Sequence, residues 1–134
     1  MASMDLHLRG QSIVRVCFEY AVSLKTDAGF ELQIETPISV EPPVGTGAEV
    51  VEIVPDRPGV RGGNLLALFR EEIGSSVAED SGALVLMFIN GIGLRVEPSE
   101  LYESWTLTGP HGEKYVCMPG GEVARWPAVR GPEL

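Results

Sequence analysis

Apolar and polar residues alternate along much of the chain, which is the period of a β-strand with one buried face. In IVRVCFEYAVSLKT the apolar residues of one parity are Val14, Val16, Phe18, Tyr20, Val22 and Leu24. We expect them to line one face of a single strand, or of two strands joined near Glu19. TDAG at 26–29 has turn composition, and FELQIET then places three apolar residues on one face, Phe30, Leu32 and Ile34. The pattern predicts a hairpin, within a first β unit of about residues 11–37.

Proline and glycine are concentrated in the next segment, residues 41–63, around the short apolar run Val50 to Val54. This composition predicts a loop, a short strand and a second loop. We expect this segment to be the most mobile part of the chain.

NLLALFREEIG, residues 64–74, predicts the one helix. Asn64 is placed to cap its start, and Gly74 lies where the residue after a helix often is glycine. Four apolar residues recur near helical spacing: Leu65, Leu68, Phe69 and Ile73. A helix of about three turns is expected.

A second β unit follows, over about residues 73–98, with turns predicted at 80–82 and at Asn90-Gly91. Aligning Ala21 with Ala83 without gaps matches Val22, Leu24, Gly29, Leu32, Ile34 and Glu35 to Leu84, Leu86, Gly91, Leu94, Val96 and Glu97. The match fits a degenerate internal repeat. Two hairpins of equal loop length also share apolar parity and a turn glycine without any duplication, so both explanations remain open.

The segment ESWTLTGPHGEKYVCMPGGEVARW, residues 103–126, holds both tryptophans. TGPHGE favours a type I turn, which predicts the cross-strand pairs Trp105 with Val116 and Leu107 with Lys114. The shared face is then expected to carry Trp105, Leu107, Val116 and Met118. PGG at 119–121 predicts another reversal before EVARW, so 104–126 forms a C-terminal meander and the tail, 127–134, is expected to be flexible. PSELYESW, just before, predicts a helical turn capped by Ser99, with Leu101 and Tyr102 packing back.

Together these patterns predict a single domain of α+β class, dominated by β structure, with two antiparallel hairpin or meander units and one helix between them. The length of 134 residues, with 44% hydrophobic and 22% charged residues, suits one globular core. The net charge of −9 opposes binding to nucleic acids and to anionic membranes. MASMDLHLRG has no signal-peptide pattern, and no apolar run approaches a membrane span, so a cytoplasmic location is expected.

The residues that carry most catalytic and metal chemistry are few and scattered: His7, His111, Cys17 and Cys117. They form no CxxC, HxxxH or HxH pattern, and no G-x-S-x-G elbow is present, so the sequence predicts no catalytic residue, no metal and no cofactor. The two cysteines are expected to be reduced and buried.

Two long strings, LRGQSIVRVCFEYAVSLKTDAGFELQIETP and LYESWTLTGPHGEKYVCMPGGEVARW, resemble a bacterial family, domain-of-unknown-function family 6188, seen mainly in high-GC Gram-positive bacteria. The resemblance covers about residues 8–126, and the 42–63 segment departs from it. The matching positions are Arg9, Gly10, Leu32, Ile34, Glu35, Thr36, Pro37, Tyr102, Glu103, Trp105, Gly109, Pro110, Gly112, Cys117, Pro119, Gly120, Gly121 and Trp126. The resemblance implies no catalytic residues, because the family has none assigned.

We prefer the hypothesis of a non-enzymatic module that binds another protein, with toxin neutralisation by an immunity protein as one form. The candidate binding surface is Tyr102, Glu103, Trp105, Glu122 and Trp126, since acidic residues flank the tryptophan segment. The alternative is a small-molecule binder or weak enzyme, with a pocket bordered by Tyr102, Trp105 and Trp126 and an arginine, Arg61 or Arg125, for an anionic group. A homodimer formed through exposed sheet edges is a third hypothesis.

Overall fold

The computed structural model describes residues 3–129, in which twelve strands form two antiparallel sheets of six strands each. In chain order the strands are β1 (Met4–Asp5), β2 (Ile13–Phe18), β3 (Val22–Thr26), β4 (Glu31–Ile34), β5 (Ile38–Glu41), β6 (Val51–Ile53), β7 (Ile73–Ala78), β8 (Leu84–Phe88), β9 (Gly93–Val96), β10 (Trp105–Thr108), β11 (Lys114–Cys117) and β12 (Val123–Trp126). Sheet I has the order β12-β11-β10-β4-β3-β2, and sheet II has the order β1-β7-β8-β9-β5-β6. The predicted β-dominated α+β fold is confirmed.

The helix between the two meanders is much shorter than predicted. It comprises α1 (Gly63–Leu66), which a 3-10 turn at Gly59–Gly62 precedes. Asn64 does not cap it, since its side-chain amide donates to the carbonyl of Arg61 instead. Residues 70–73 bond to the backbone of 11–13, so Ile73 and Gly74 open β7 rather than close a helix. The prediction of three helical turns over 64–74 was wrong, because pairing with a distant segment overrode the local helical spacing.

The inward-facing side chains of both sheets join in one hydrophobic cluster. Val22, Leu24, Leu32 and Ile34 contribute to it from sheet I, as the alternation predicted. Val14 and Tyr20, of the same parity, are exposed instead. The register of β2 shifts after Ile13, which turns Val14 outward, and Tyr20 lies in the turn between β2 and β3.

The two sheets exchange strands reciprocally. The meander β2-β3-β4 passes into β5, which pairs with β9 of the other sheet, and the meander β7-β8-β9 passes into β10, which pairs with β4. The strands matched by aligning Ala21 with Ala83 occupy equivalent places, β3 with β8 and β4 with β9. The duplication itself stays a hypothesis, but the topology gives the two crossovers equivalent positions.

The hairpin β10-β11 has a different register from the predicted one. Leu107 lies opposite Tyr115, and Thr108 lies opposite Lys114. The loop is one residue longer than a type I turn requires, since Gly109 and Glu113 close it and Gly112 adopts a φ of 89°. The core-facing side chains are therefore Trp105, Leu107, Tyr115 and Cys117, and the predicted face with Val116 and Met118 was wrong.

Both crossovers lie at the same end of the two sheets, because β5 begins where β4 ends and β10 begins where β9 ends. We call this end the crossover end. Its segments are 19–21, 35–37, 54–58, 79–83, 97–104 and 118–122, and the segments of the opposite end are 27–30, 42–50, 89–92 and 109–113. The 41–63 segment holds a short strand, β6, as predicted, and its expected mobility stays a prediction. Of the tail predicted to be flexible, residues 130–134 lie outside the described residues.

Candidate functional site

The charge of the molecule is distributed unevenly between its two ends. Carboxylates occupy every loop of the crossover end: Glu19, Glu35, Asp56, Glu79, Asp80, Glu97, Glu100, Glu103 and Glu122. Within residues 3–129, Arg57 lies in one of these loops and Arg95 binds two of the carboxylates, while Arg15 and Lys25 share a cleft with Glu19 and Glu35. Towards the opposite end, acidic residues are interspersed with basic ones, which include Arg15, Lys25, Arg70 and Lys114. The crossover end is therefore the negative pole of the described structure.

Backbone contacts hold three of these acidic loops together. A Cβ atom added to Gly82 would lie 2.2 Å from the carbonyl oxygen of Gly121, and one added to Gly121 would lie 2.1 Å from that of Ser81. Both glycines have positive φ, so no other residue type fits either the contact or the backbone conformation. The amide of Gly120 also donates to the carbonyl of Ser99 at 2.8 Å. Loops 79–83, 97–104 and 118–122 thus form one continuous surface.

Trp105 connects this surface to the hydrophobic core. Its side chain is 0% exposed, and its indole Nε1 donates to the carbonyl oxygen of Gly82 at 3.0 Å. The thiol of Cys117 donates to the same oxygen at 3.3 Å, and burial raises the pKa of that thiol. Cys117 is buried and Cys17 is half-buried, and both are free thiols. Trp105 therefore belongs to the core and offers no side-chain surface to a partner.

The other candidate residues separate into two places. Tyr102, Glu103 and Glu122 are exposed at the crossover end. Trp126 is exposed at the far end of β12, where the ammonium of Lys114 lies 5.7 Å from the centre of its ring. The expected pocket bordered by Tyr102, Trp105 and Trp126 is not formed, because the strand order and the burial of Trp105 keep these rings apart.

A cleft of about 470 Å³ opens between the two crossovers, and we call it the crossover cleft. It is lined by Glu35, Thr36, Pro37, Ser39, Glu52, Glu97, Pro98, Ser99 and Tyr102. The Ser99 hydroxyl accepts the backbone N–H groups of Leu101 and Tyr102 at 3.1 and 3.3 Å, which forms a tight turn. The predicted helical turn is replaced by this turn, and Leu101 and Tyr102 point outward rather than packing back.

Three carboxylates, Glu35, Glu52 and Glu97, contribute to this cleft. Glu97 accepts a hydrogen bond from Arg95, which also donates to Glu79 at 2.8 Å. These bonds, Glu79 first and then Glu97, raise the pKa of the Arg95 guanidinium above its ordinary value. Glu35 and Glu52 form no ion pair with any residue between 3 and 129, so the cleft carries uncompensated negative charge.

Two smaller clefts extend the acidic surface. One, of about 350 Å³, lies on the outer face of β2, β3 and β4, and shares Glu35 with the crossover cleft. Its charges are mixed, since Arg15 and Lys25 lie beside Glu19 and Glu31. The other, of about 240 Å³, is lined by Met4, Ala78, Glu79, Asp80, Gly121, Glu122 and Val123. The cleft that contains Glu79, Asp80 and Glu122 is therefore acidic, whereas the one on β2, β3 and β4 carries charges of both signs.

Of the residues that line the crossover cleft, sequence reasoning named Tyr102 as a candidate and missed the others. The alignment that matched the two β units did pair Glu35 with Glu97, and both now line the cleft. Nothing in the local sequence distinguishes Thr36 or Glu52, because the crossover and the pairing of β6 with β5 bring them to this place.

Between residues 3 and 129, no three His, Cys, Asp or Glu side chains converge as metal ligands. In the same range, no helix is long and apolar enough to cross a membrane.

Comparison with known protein families gives one match. A family model described as a family of unknown function, DUF6188, matches residues 4–127, nearly the whole chain. The chain belongs to the DUF6188 family. No curated protein and no solved structure matches it.

Proposed function

We propose that this protein is a non-enzymatic module that binds a basic partner protein through the acidic surface of its crossover end. The observation that carries the proposal is the segregation of charge: carboxylates occupy every loop of that end, while most basic residues lie elsewhere. A solvated acidic face needs no such segregation, and concentrated charge of one sign raises the rate of encounter with an oppositely charged partner.

The way the loops are built supports a binding role. The contact between Gly82 and Gly121 and the bond from Gly120 to Ser99 fix the acidic loops before any partner arrives. A surface that is ordered in advance loses less conformational entropy on binding. Neutralisation of a basic toxin by an immunity protein is one form of this function, and the small-molecule alternative has lost the aromatic pocket on which it depended.

The first test exchanges charge at the candidate surface. We expect the double substitution Glu103→Lys with Glu122→Lys to abolish capture of a stoichiometric partner from extracts of the producing cells, because it places positive charge in the centre of the acidic loops. The matched control is Glu49→Lys with Glu72→Lys, which makes the same change in formal charge on exposed residues away from the crossover end.

Affinity purification followed by quantitative mass spectrometry measures the retained partner. The native chain and the control are expected to retain it, and added salt is expected to release it from both. Absence of any stoichiometric partner, or equal loss in the two double variants, would overturn the proposal.

A further inference from the structure

The crossover cleft has features that a merely acidic patch lacks. Its acceptors come from three different segments: Glu35 from the first crossover, Glu97 from the second and Glu52 from β6. The ring of Tyr102, which is 64% exposed, forms part of the wall. Since no three ligands converge on one point in the described part of the chain, the arrangement suits a cation that is extended rather than a metal ion.

Thr36 supplies an independent sign of a ligand. It lines the cleft, is 9% exposed, and its Oγ1 has no hydrogen-bond partner among the described residues. A buried hydroxyl without a partner is destabilising, and native proteins leave few of them. Ser104 also has a buried hydroxyl, but it lies beside the Cys117 thiol and does not line the cleft. The Thr36 hydroxyl is buried in the cleft wall, so a donor group satisfies it only where binding opens that wall.

We propose that the crossover cleft binds the guanidinium group of an arginine side chain of the basic partner. This inference rests on the proposed function and specifies the chemistry that the surface recognises. A guanidinium is planar and presents five N–H donors, so it can bridge separate carboxylates and reach a hydroxyl at once. It also stacks on an aromatic ring, for which Tyr102 is placed. A lysine ammonium donates from a single point and matches these separated acceptors less well.

The test uses the full chain and three blocked pentapeptides, identical except for a central arginine, lysine or citrulline. Binding is followed by NMR titration of the backbone amides. We expect the arginine peptide to shift the signals of Thr36, Ser99 and Tyr102, and to bind about tenfold more tightly than the citrulline peptide, which lacks the charge. The lysine peptide should bind more weakly than the arginine peptide. Equal binding of the arginine and lysine peptides overturns the guanidinium site.

Variants distinguish binding in the cleft from general electrostatic attraction to the acidic end. Tyr102→Leu and Glu35→Gln are expected to weaken the arginine peptide several-fold, whereas Glu72→Gln, away from the cleft, should leave it unchanged. Thr36→Val should weaken it without loss of stability, because the hydroxyl has no partner in the free protein, and Thr36→Ser should restore binding. An arginine affinity that survives both Tyr102→Leu and Thr36→Val overturns the proposal.

A further arm distinguishes the source of the guanidinium. Free arginine that binds more tightly than the blocked peptide overturns the assignment to a partner's side chain. Failure of the peptides with continued partner capture that depends on Glu103 and Glu122 overturns the guanidinium site alone. Absence of any stoichiometric partner for the native chain, with retained discrimination between the peptides, overturns the proposed function instead.

Discussion

At the scale of single residues, the side chains with the most unusual chemistry prove to be structural. Trp105 and Cys117 both donate to the carbonyl oxygen of Gly82, and thereby join sheet I to the turn between β7 and β8. The sequence shows that these residues are rare and apolar, but it cannot show which carbonyl oxygen accepts their hydrogen bonds. The residues that line the proposed binding cleft, among them Glu35, Thr36, Glu97 and Tyr102, are chemically ordinary and become notable through their positions.

Cys117 gives the protein a pH dependence of known sign. Burial raises the pKa of its thiol above the ordinary value of 9.0, so the unfolded chain releases this proton at a lower pH than the folded chain. The contribution of this thiol to stability is complete below pH 9.0 and is lost as pH rises towards the folded pKa. We expect the free energy of unfolding to fall between about pH 7.5 and about pH 10, and to fall less in Cys117→Ser.

Urea unfolding of both proteins at the two pH values measures this difference. The serine hydroxyl keeps a donor for the carbonyl of Gly82 and does not titrate in this range. Because the two proteins have the same tyrosines and lysines, titration of those residues affects both equally. Parallel losses of stability in the two proteins would contradict the assigned role of Cys117.

At the scale of elements, most turns form where the local sequence predicts them, whereas the helix is much shorter than its local sequence predicts. Turn residues at 26–29, 80–82, 90–91 and 119–121 reverse the chain as predicted, because positive φ at glycine is decided locally. The apolar residues of segment 64–74 have helical spacing, yet the backbone groups of residues 70–73 form hydrogen bonds with residues 11–13. The β10-β11 register moved by one residue because the turn has a three-residue loop, a choice that TGPHGE leaves open.

The close contact between the turns at 79–83 and 118–122 predicts a large loss of stability when a glycine there is replaced. Gly121→Ala should cost about 3 kcal/mol or more, since the new Cβ meets the Ser81 carbonyl oxygen at 2.1 Å and the backbone has positive φ. Gly45→Ala is the matched control, because Gly45 also has positive φ but has open space around it. Its cost should be about 1 kcal/mol, from backbone conformation alone. Chemical denaturation compares the two, and equal costs would show that the turns do not press on each other.

At the scale of the whole molecule, the strand exchange creates the acidic surface. Carboxylates distant in sequence, such as Glu19, Glu79 and Glu122, share one end because the β4–β5 and β9–β10 crossovers and three hairpin turns meet there. Such crowding raises the energy of the free protein through repulsion, which the basic partner that we propose would relieve.

This repulsion predicts a dependence on salt. We expect Tm to rise as sodium chloride increases from about 20 mM to about 300 mM, because screening weakens repulsion between exposed charges. Glu103→Gln with Glu122→Gln should raise Tm at low salt and reduce the further gain from salt, while Glu49→Gln with Glu72→Gln should have a smaller effect. Differential scanning calorimetry provides the measurement, and a salt response identical in the two double variants would argue against a concentrated charge.

The β-dominated class, most strand faces, most turn positions and the net negative charge can be read from the sequence alone, because alternation, turn chemistry and formal charge are local properties of the chain. The sequence also indicated Glu103, Glu122 and Tyr102 as surface candidates, and it paired Glu35 with Glu97 through the matched β units. The burial of Trp105, the separate position of Trp126, and the meeting of Thr36 and Glu52 with Glu35 and Glu97 in one cleft become visible only in the folded chain. These outcomes depend on which strands exchange between sheets, and that choice follows from packing of the entire core rather than from any single segment.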